Sequence, residues 1–120
     1  MNLSNQLAVL DRAIALSRVG GDSELLQEMA QLFLEECPSQ MEAIREAVGQ
    51  RDPKAIERSA HSLKGSVGNF GAEAALNAAL SLEMLGRAGN LDGVDAALSA
   101  LESAIHQLQP EMASLASQNA

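Results

Sequence analysis

Apolar side chains recur along this chain in steps of three and four, the spacing of one face of an α-helix. Leu3, Leu7, Leu10 and Ile14 begin the pattern; Ser4 suits an N-cap, and Gly20-Gly21 ends a helix predicted over about 4–19. Asp22 can cap the next segment, whose apolar face reads Leu25, Leu26, Met29, Leu32 and Phe33. Pro38 then either bends one long helix or starts a new one, because it lacks an amide donor and crowds the preceding turn. The pattern resumes at Met41, Ile44 and Val48 and pauses at the Gly49-Gln50-Arg51 turn. Asp52-Pro53 is an N-cap followed by proline at the first helical position, and this helix should reach Gly68 or Asn69. Beyond Gly71 another covers about 72–87, with Gly86, Gly89 and Asn90 as its break. Leu91, Val94, Leu98, Leu101, Ile105, Leu108, Met112 and Leu115 form a last continuous seam, which Pro110 kinks or ends early. No stretch alternates apolar with polar residues for long. Short connections favour antiparallel neighbours, so the pattern predicts an all-α, up-and-down bundle.

Composition narrows the classes. The 120 residues fit one domain, 1–120, and 47% are hydrophobic, enough for a core built almost without aromatics. A formal charge of −8 argues against nucleic acid and against anionic membranes as partners. The first residues do not form a basic-then-apolar leader, and no apolar run approaches the roughly 20 residues of a membrane span. A cytoplasmic location is the resulting expectation. Cys37 is the single cysteine, which excludes an internal disulfide, and is read as a half-buried small side chain. His61, His106 and Cys37 have no paired ligand spacing, so neither a metal nor another cofactor is expected. His106 falls beside the last seam and reads as a surface residue. Lys64-Gly65-Ser66-Val67-Gly68 resembles a nucleotide-binding loop only loosely: the order is wrong and no strand precedes it.

The helix starting at Pro53 carries the candidate chemistry. Ile56, Ala60, Leu63 and Val67 share a narrow arc that must face the core. His61 lies roughly 130° from its centre and therefore points towards solvent. Gly65 and Gly68 fall on the same side, four and seven residues on, although glycine is unfavourable inside a helix. They remove side chains that would crowd the imidazole. Four of the eight basic residues, Arg51, Lys54, Arg58 and Lys64, lie within 51–64, so half the positive charge of an acidic chain gathers near one histidine. Cations suit a phosphoryl group, which carries about two negative charges near neutral pH. A free imidazole, with a pKa near 6.5, is mostly neutral and nucleophilic there. The same features also fit an ordinary surface histidine with unrelated glycines nearby.

The segment Ala60-His61-Ser62-Leu63-Lys64-Gly65-Ser66-Val67-Gly68-Asn69-Phe70-Gly71-Ala72 closely resembles the phosphorylation motif of histidine-phosphotransfer (HPt) domains, the carriers of multistep phosphorelays. Gly-Gly-Asp-Ser-Glu-Leu-Leu and Leu-Phe-Leu-Glu-Glu within 20–36 resemble the family's second helix, and Leu82-Glu83 with Gly86-Arg87 its helix after the motif. The resemblance implies a four-helix bundle, core about 22–116, with an accessory N-terminal helix. It implies that His61 accepts a phosphoryl group, on Nε2 in the family, from a receiver-domain aspartate and passes it to another receiver. It implies that Lys64 stabilises the phosphoryl oxygens and that Gly65 clears space for the receiver. Arg58 and Glu83 are candidate supports. Several family members have Gln where Glu83 stands, and a carboxylate would repel phosphate. Glu83 either orients Nδ1–H of His61 or forms an i,i+4 pair with Arg87.

The expected partners are response-regulator receiver domains and a hybrid histidine kinase, met by a monomer. The chain is too short for a self-sufficient kinase, so it is read as a phosphotransfer intermediate rather than an enzyme. Two alternatives remain: the phosphorylated domain of a chemotaxis-type histidine kinase, and a helical adaptor that binds receivers without phosphorylation. Docking is expected on the His61 face and an apolar strip of the first helix around Leu7, Leu10 and Ile14.

Overall fold

Aspartates start three of the helices in the computed structural model, which describes residues 7–117. The side chains of Asp11, Asp22 and Asp52 accept the amide hydrogens of Ile14, Leu25 and Ala55, satisfying first-turn donors that have no partner within the helix. Among the described residues the helices are α1 (Arg12–Arg18), α2 (Ser23–Gly49), α3 (Pro53–Gly68), α4 (Glu73–Ala88) and α5 (Val94–Ala116). Pro38 lies inside α2 and Pro110 inside α5, so neither proline ends its helix.

Helix α2 packs on α3 and α5, and α4 packs on the same two, closing an antiparallel four-helix bundle. Ile44, Ile56, Leu63, Leu82, Leu101, Leu108 and Met112 fill its centre. Cys37 is fully buried there rather than half-buried, and burial pushes its thiol pKa up against the smaller opposing effect of Arg45. No helix among the described residues is long and apolar enough to cross a membrane.

The first helix differs most from expectation. It begins at Arg12, not near residue 4, while Leu3 and Ser4 lie outside the described residues. Residues 8–11 instead cross the turn between α3 and α4. The Asp11 amide donates to the Phe70 carbonyl (3.1 Å), the Ala74 amide to the Ala8 carbonyl (3.1 Å), and the Ala8 amide to Glu73 Oε1 (3.1 Å). These tertiary bonds hold the backbone extended until Asp11 caps α1. Gly71 makes the crossing tight: its φ is +62°, and a Cβ there would lie 2.6 Å from Asp11 Cβ.

Leu25 and Leu32 also depart from the predicted core. They are 41% and 52% exposed, because the buried stripe of α2 runs through Leu26, Ala30, Phe33, Cys37, Met41 and Ile44. Both leucines sit roughly 100–120° around the helix from that stripe. Gly86 does not break α4, which continues to Ala88 and ends at Gly89 with φ +68°.

Candidate functional site

Helix α3 buries Ile56, Ala60, Leu63 and Val67, which turns His61 outward with its side chain 67% exposed. Helix α4 buries Ala75, Ala79, Leu82 and Gly86, and with them Glu83, whose side chain is only 2% exposed. The antiparallel packing of the two helices brings these residues together. His61 Nδ1 lies 2.8 Å from Glu83 Oε2.

Glu83 is held from three sides. Besides the imidazole, Lys64 Nζ stands 2.7 Å from Oε1, and Arg87 Nη2 donates to Oε2 at 3.1 Å. By distance the Lys64 contact is a charge-assisted pair, although its angle is too bent for a well-directed hydrogen bond. Burial alone would push the Glu83 carboxyl up; Lys64 and His61 outweigh it and hold the carboxyl below its usual range. An ionised carboxylate only accepts hydrogen bonds, so Nδ1 must donate the proton of this contact. In its neutral form the imidazole is thereby held as the Nδ1–H tautomer, which leaves the Nε2 lone pair on the exposed side. Both readings of Glu83 hold together: it orients His61 and it pairs with Arg87.

An open cleft of about 600 Å³ lies beside the imidazole, lined by Lys54, Glu57, Arg58, His61, Ser62, Glu83 and Arg87. Lys54 and Arg58 thus stand on the His61 side, as their helical spacing indicated. Arg51 does not. It belongs to the turn before α3, and its guanidinium forks onto Asp95 at the start of α5, at 2.8 and 3.1 Å. Arg87 takes its place near the site, with Nε 2.9 Å from Glu57 Oε2. Sequence reading saw Arg87 only as a neighbour of Glu83 along one helix. Its link to Glu57 depends on the register of two helices, which spacing within one helix does not carry.

Apart from its chain neighbours and the backbone of its own helix, no atom lies within 4 Å of where a Cβ on Gly65 would stand, so this position is open. At Gly68 a Cβ would make ordinary contact with Leu76 Cδ1 of α4, at 3.8 Å. Leu7 and Ile14 are exposed, whereas Leu10 packs partly against the core. Leu80 and Met84, on either side of Glu83 in α4, are 40% and 50% exposed. The bundle buries Ala75, Ala79 and Leu82 of that helix. Among the described residues no group of three or more His, Cys, Asp or Glu is placed to hold a metal ion.

A family model described as the Hpt domain matches residues 28–111. Two solved structures share the fold at 20% sequence identity. One is histidine-containing phosphotransfer protein B from Pseudomonas aeruginosa PAO1, with a TM-score of 0.84 over 92% of this chain and 96% of that one. The other is the HPT domain of a sensor hybrid histidine kinase from Shewanella, with a TM-score of 0.83 over 96% of this chain and 99% of that one. Comparison with curated proteins finds no match.

Proposed function

The chain belongs to the Hpt domain family, and we propose that Nε2 of His61 is the atom through which it carries phosphate. Its function is histidine phosphotransfer in a phosphorelay, and Hpt domains are carriers that work with receiver domains and hybrid kinases. The observation that supports the assignment to His61 is its pairing: an exposed imidazole whose inner nitrogen donates to the buried Glu83 carboxylate at 2.8 Å.

The step follows from that pairing. A receiver carrying an aspartyl phosphate docks over the cleft, and the Nε2 lone pair attacks phosphorus. The N–P bond forms as the P–O bond to the aspartate breaks, and the aspartate leaves as a carboxylate. The ring keeps its Nδ1 proton and becomes cationic, and the Glu83 carboxylate beneath balances that charge. Lys64 is next to His61 on the α3 surface and faces the phosphoryl oxygens once they arrive; Arg58 adds positive charge at the cleft wall. Gly65 leaves the open surface a docking receiver requires, and Gly68 extends it towards α4. A second receiver's aspartate reverses the step. The direct partners are receiver domains, including that of a hybrid kinase. The chain works as one monomeric domain in the cytoplasm, and its charge of −8 disfavours nucleic acid.

Incubation with a phosphorylated receiver should transfer label to this protein. The label should be acid-labile and absent from His61→Gln. Label obtained only from ATP and a kinase domain would make the chain the substrate domain of a chemotaxis-type kinase. Tight receiver binding without label would make it an adaptor, and the proposal would be wrong.

A further inference from the structure

Gly86 lies in the last turn of α4, where glycine is still unfavourable relative to alanine and where its φ is not among the positive ones. Backbone conformation therefore does not require it. Proximity does. A Cβ on Gly86 would lie 2.7 Å from the Glu57 amide nitrogen, 2.8 Å from the Pro53 carbonyl oxygen and 3.1 Å from Glu57 Cα. All three are backbone atoms of the first turn of α3, so no side-chain rotation can make room.

The register of the two helices ties this contact to the site. Gly86 lies on Glu57; one turn along, Glu83 lies on His61; further on, Leu76 lies on Gly68. Arg87, next to Gly86, fastens the same level through Glu57 and reaches back to Glu83. The short distance from Glu83 to Nδ1 lies one turn from this close approach of α4 to the backbone of α3.

We propose that Gly86 is a positioning residue for His61: by letting α4 lie directly on the backbone of α3 at Pro53 and Glu57, it sets the spacing at which the Glu83 carboxylate meets Nδ1. Its consequence for transfer rests on His61 being the phosphorylated residue, but its consequence for the ring does not. An added methyl pries the helices apart, Glu83 loses Nδ1–H, and the imidazole reverts towards the Nε2–H form, in which the attacking nitrogen is blocked.

The test is the tautomer of His61, read from its ring 15N shifts at mildly alkaline pH, together with transfer from a phosphorylated receiver. Gly86→Ala should move the ring towards Nε2–H and slow transfer on the order of 10- to 100-fold, the scale of a small misplacement in a reacting pair. Glu83→Asp keeps Gly86 but shortens the reach by one methylene, and should shift the tautomer in the same direction. Gly86→Ala should add nothing to the loss already caused by Glu83→Ala, as expected if Gly86 acts through Glu83. A folded Gly86→Ala protein that retains Nδ1–H overturns the proposal. If that variant does not fold, Glu83→Asp decides: retained Nδ1–H means the spacing is not critical and the proposal fails. Absence of label on the unaltered protein would instead remove the phosphotransfer reading of His61, and the tautomer would still judge Gly86.

Discussion

A carboxylate on the buried side of a helix is costly unless its charge is matched, and Glu83 has His61, Lys64 and Arg87 against it. That matching gives the residue two measurable signatures. Glu83→Gln should destabilise the fold by about 1–3 kcal/mol at neutral pH. The folded carboxyl titrates below its ordinary value of 4.5, so its contribution is complete above that value and disappears as pH falls through the depressed folded one. Urea unfolding of both proteins should therefore show the difference shrinking as pH falls below about 4.5; a difference that does not shrink in acid would contradict the ionised assignment. Lys64→Ala should slow transfer or shorten the lifetime of phosphohistidine, and unchanged values for both would remove Lys64 from the mechanism. At this scale the sequence was informative about His61, Lys64 and Gly65, because each stands on one helix at readable spacing. It left Glu83 between two roles, since the distance to a residue on another helix is not encoded in the period of its own.

Helix α3 was legible almost to its ends. Asp52-Pro53 started it, the Ile56-Ala60-Leu63-Val67 arc fixed its rotation, and that rotation put His61 outside. The glycines on its outer face lead to a prediction at this scale. Gly65→Gln should abolish or strongly weaken receiver binding, measured by titration calorimetry, while changing unfolding free energy by less than about 1 kcal/mol, because no atom stands near the Cβ. Normal transfer by that variant would sink the steric argument. The first helix was less legible. Leu7, Leu10 and Ile14 have helical spacing, yet residues 8–11 pair with Phe70, Glu73 and Ala74 instead. The partners of that crossing lie some sixty residues away, and only Gly71, with no room beside it for a side chain, hints at it in the sequence.

The bundle as a whole positions one cationic cleft on an acidic molecule. The chain carries −8, but Lys54, Arg58, Lys64 and Arg87 gather on the α3–α4 side. Such a field attracts a negatively charged partner surface towards His61. Arg58→Glu should slow association about tenfold at low ionic strength, with the difference fading towards half-molar salt; a difference independent of salt, read by stopped-flow mixing, would point to a contact rather than a field. The up-and-down bundle was readable from periodicity and short loops. Which flank of α2 meets solvent was not: Leu25 and Leu32 fit its apolar pattern, yet both are exposed because the buried stripe runs through Leu26, Ala30 and Phe33.

The central claim is that His61 carries the phosphoryl group on Nε2, and the most direct measurement is 31P–15N correlation on uniformly 15N-labelled protein phosphorylated by a receiver. The account predicts one phosphoramidate signal, coupled to Nε2 of His61, with Nδ1 still protonated and no signal from the Glu83→Ala protein under conditions where its transfer is slow. Phosphorus coupled to Nδ1, to His106, or to no nitrogen at all would contradict it.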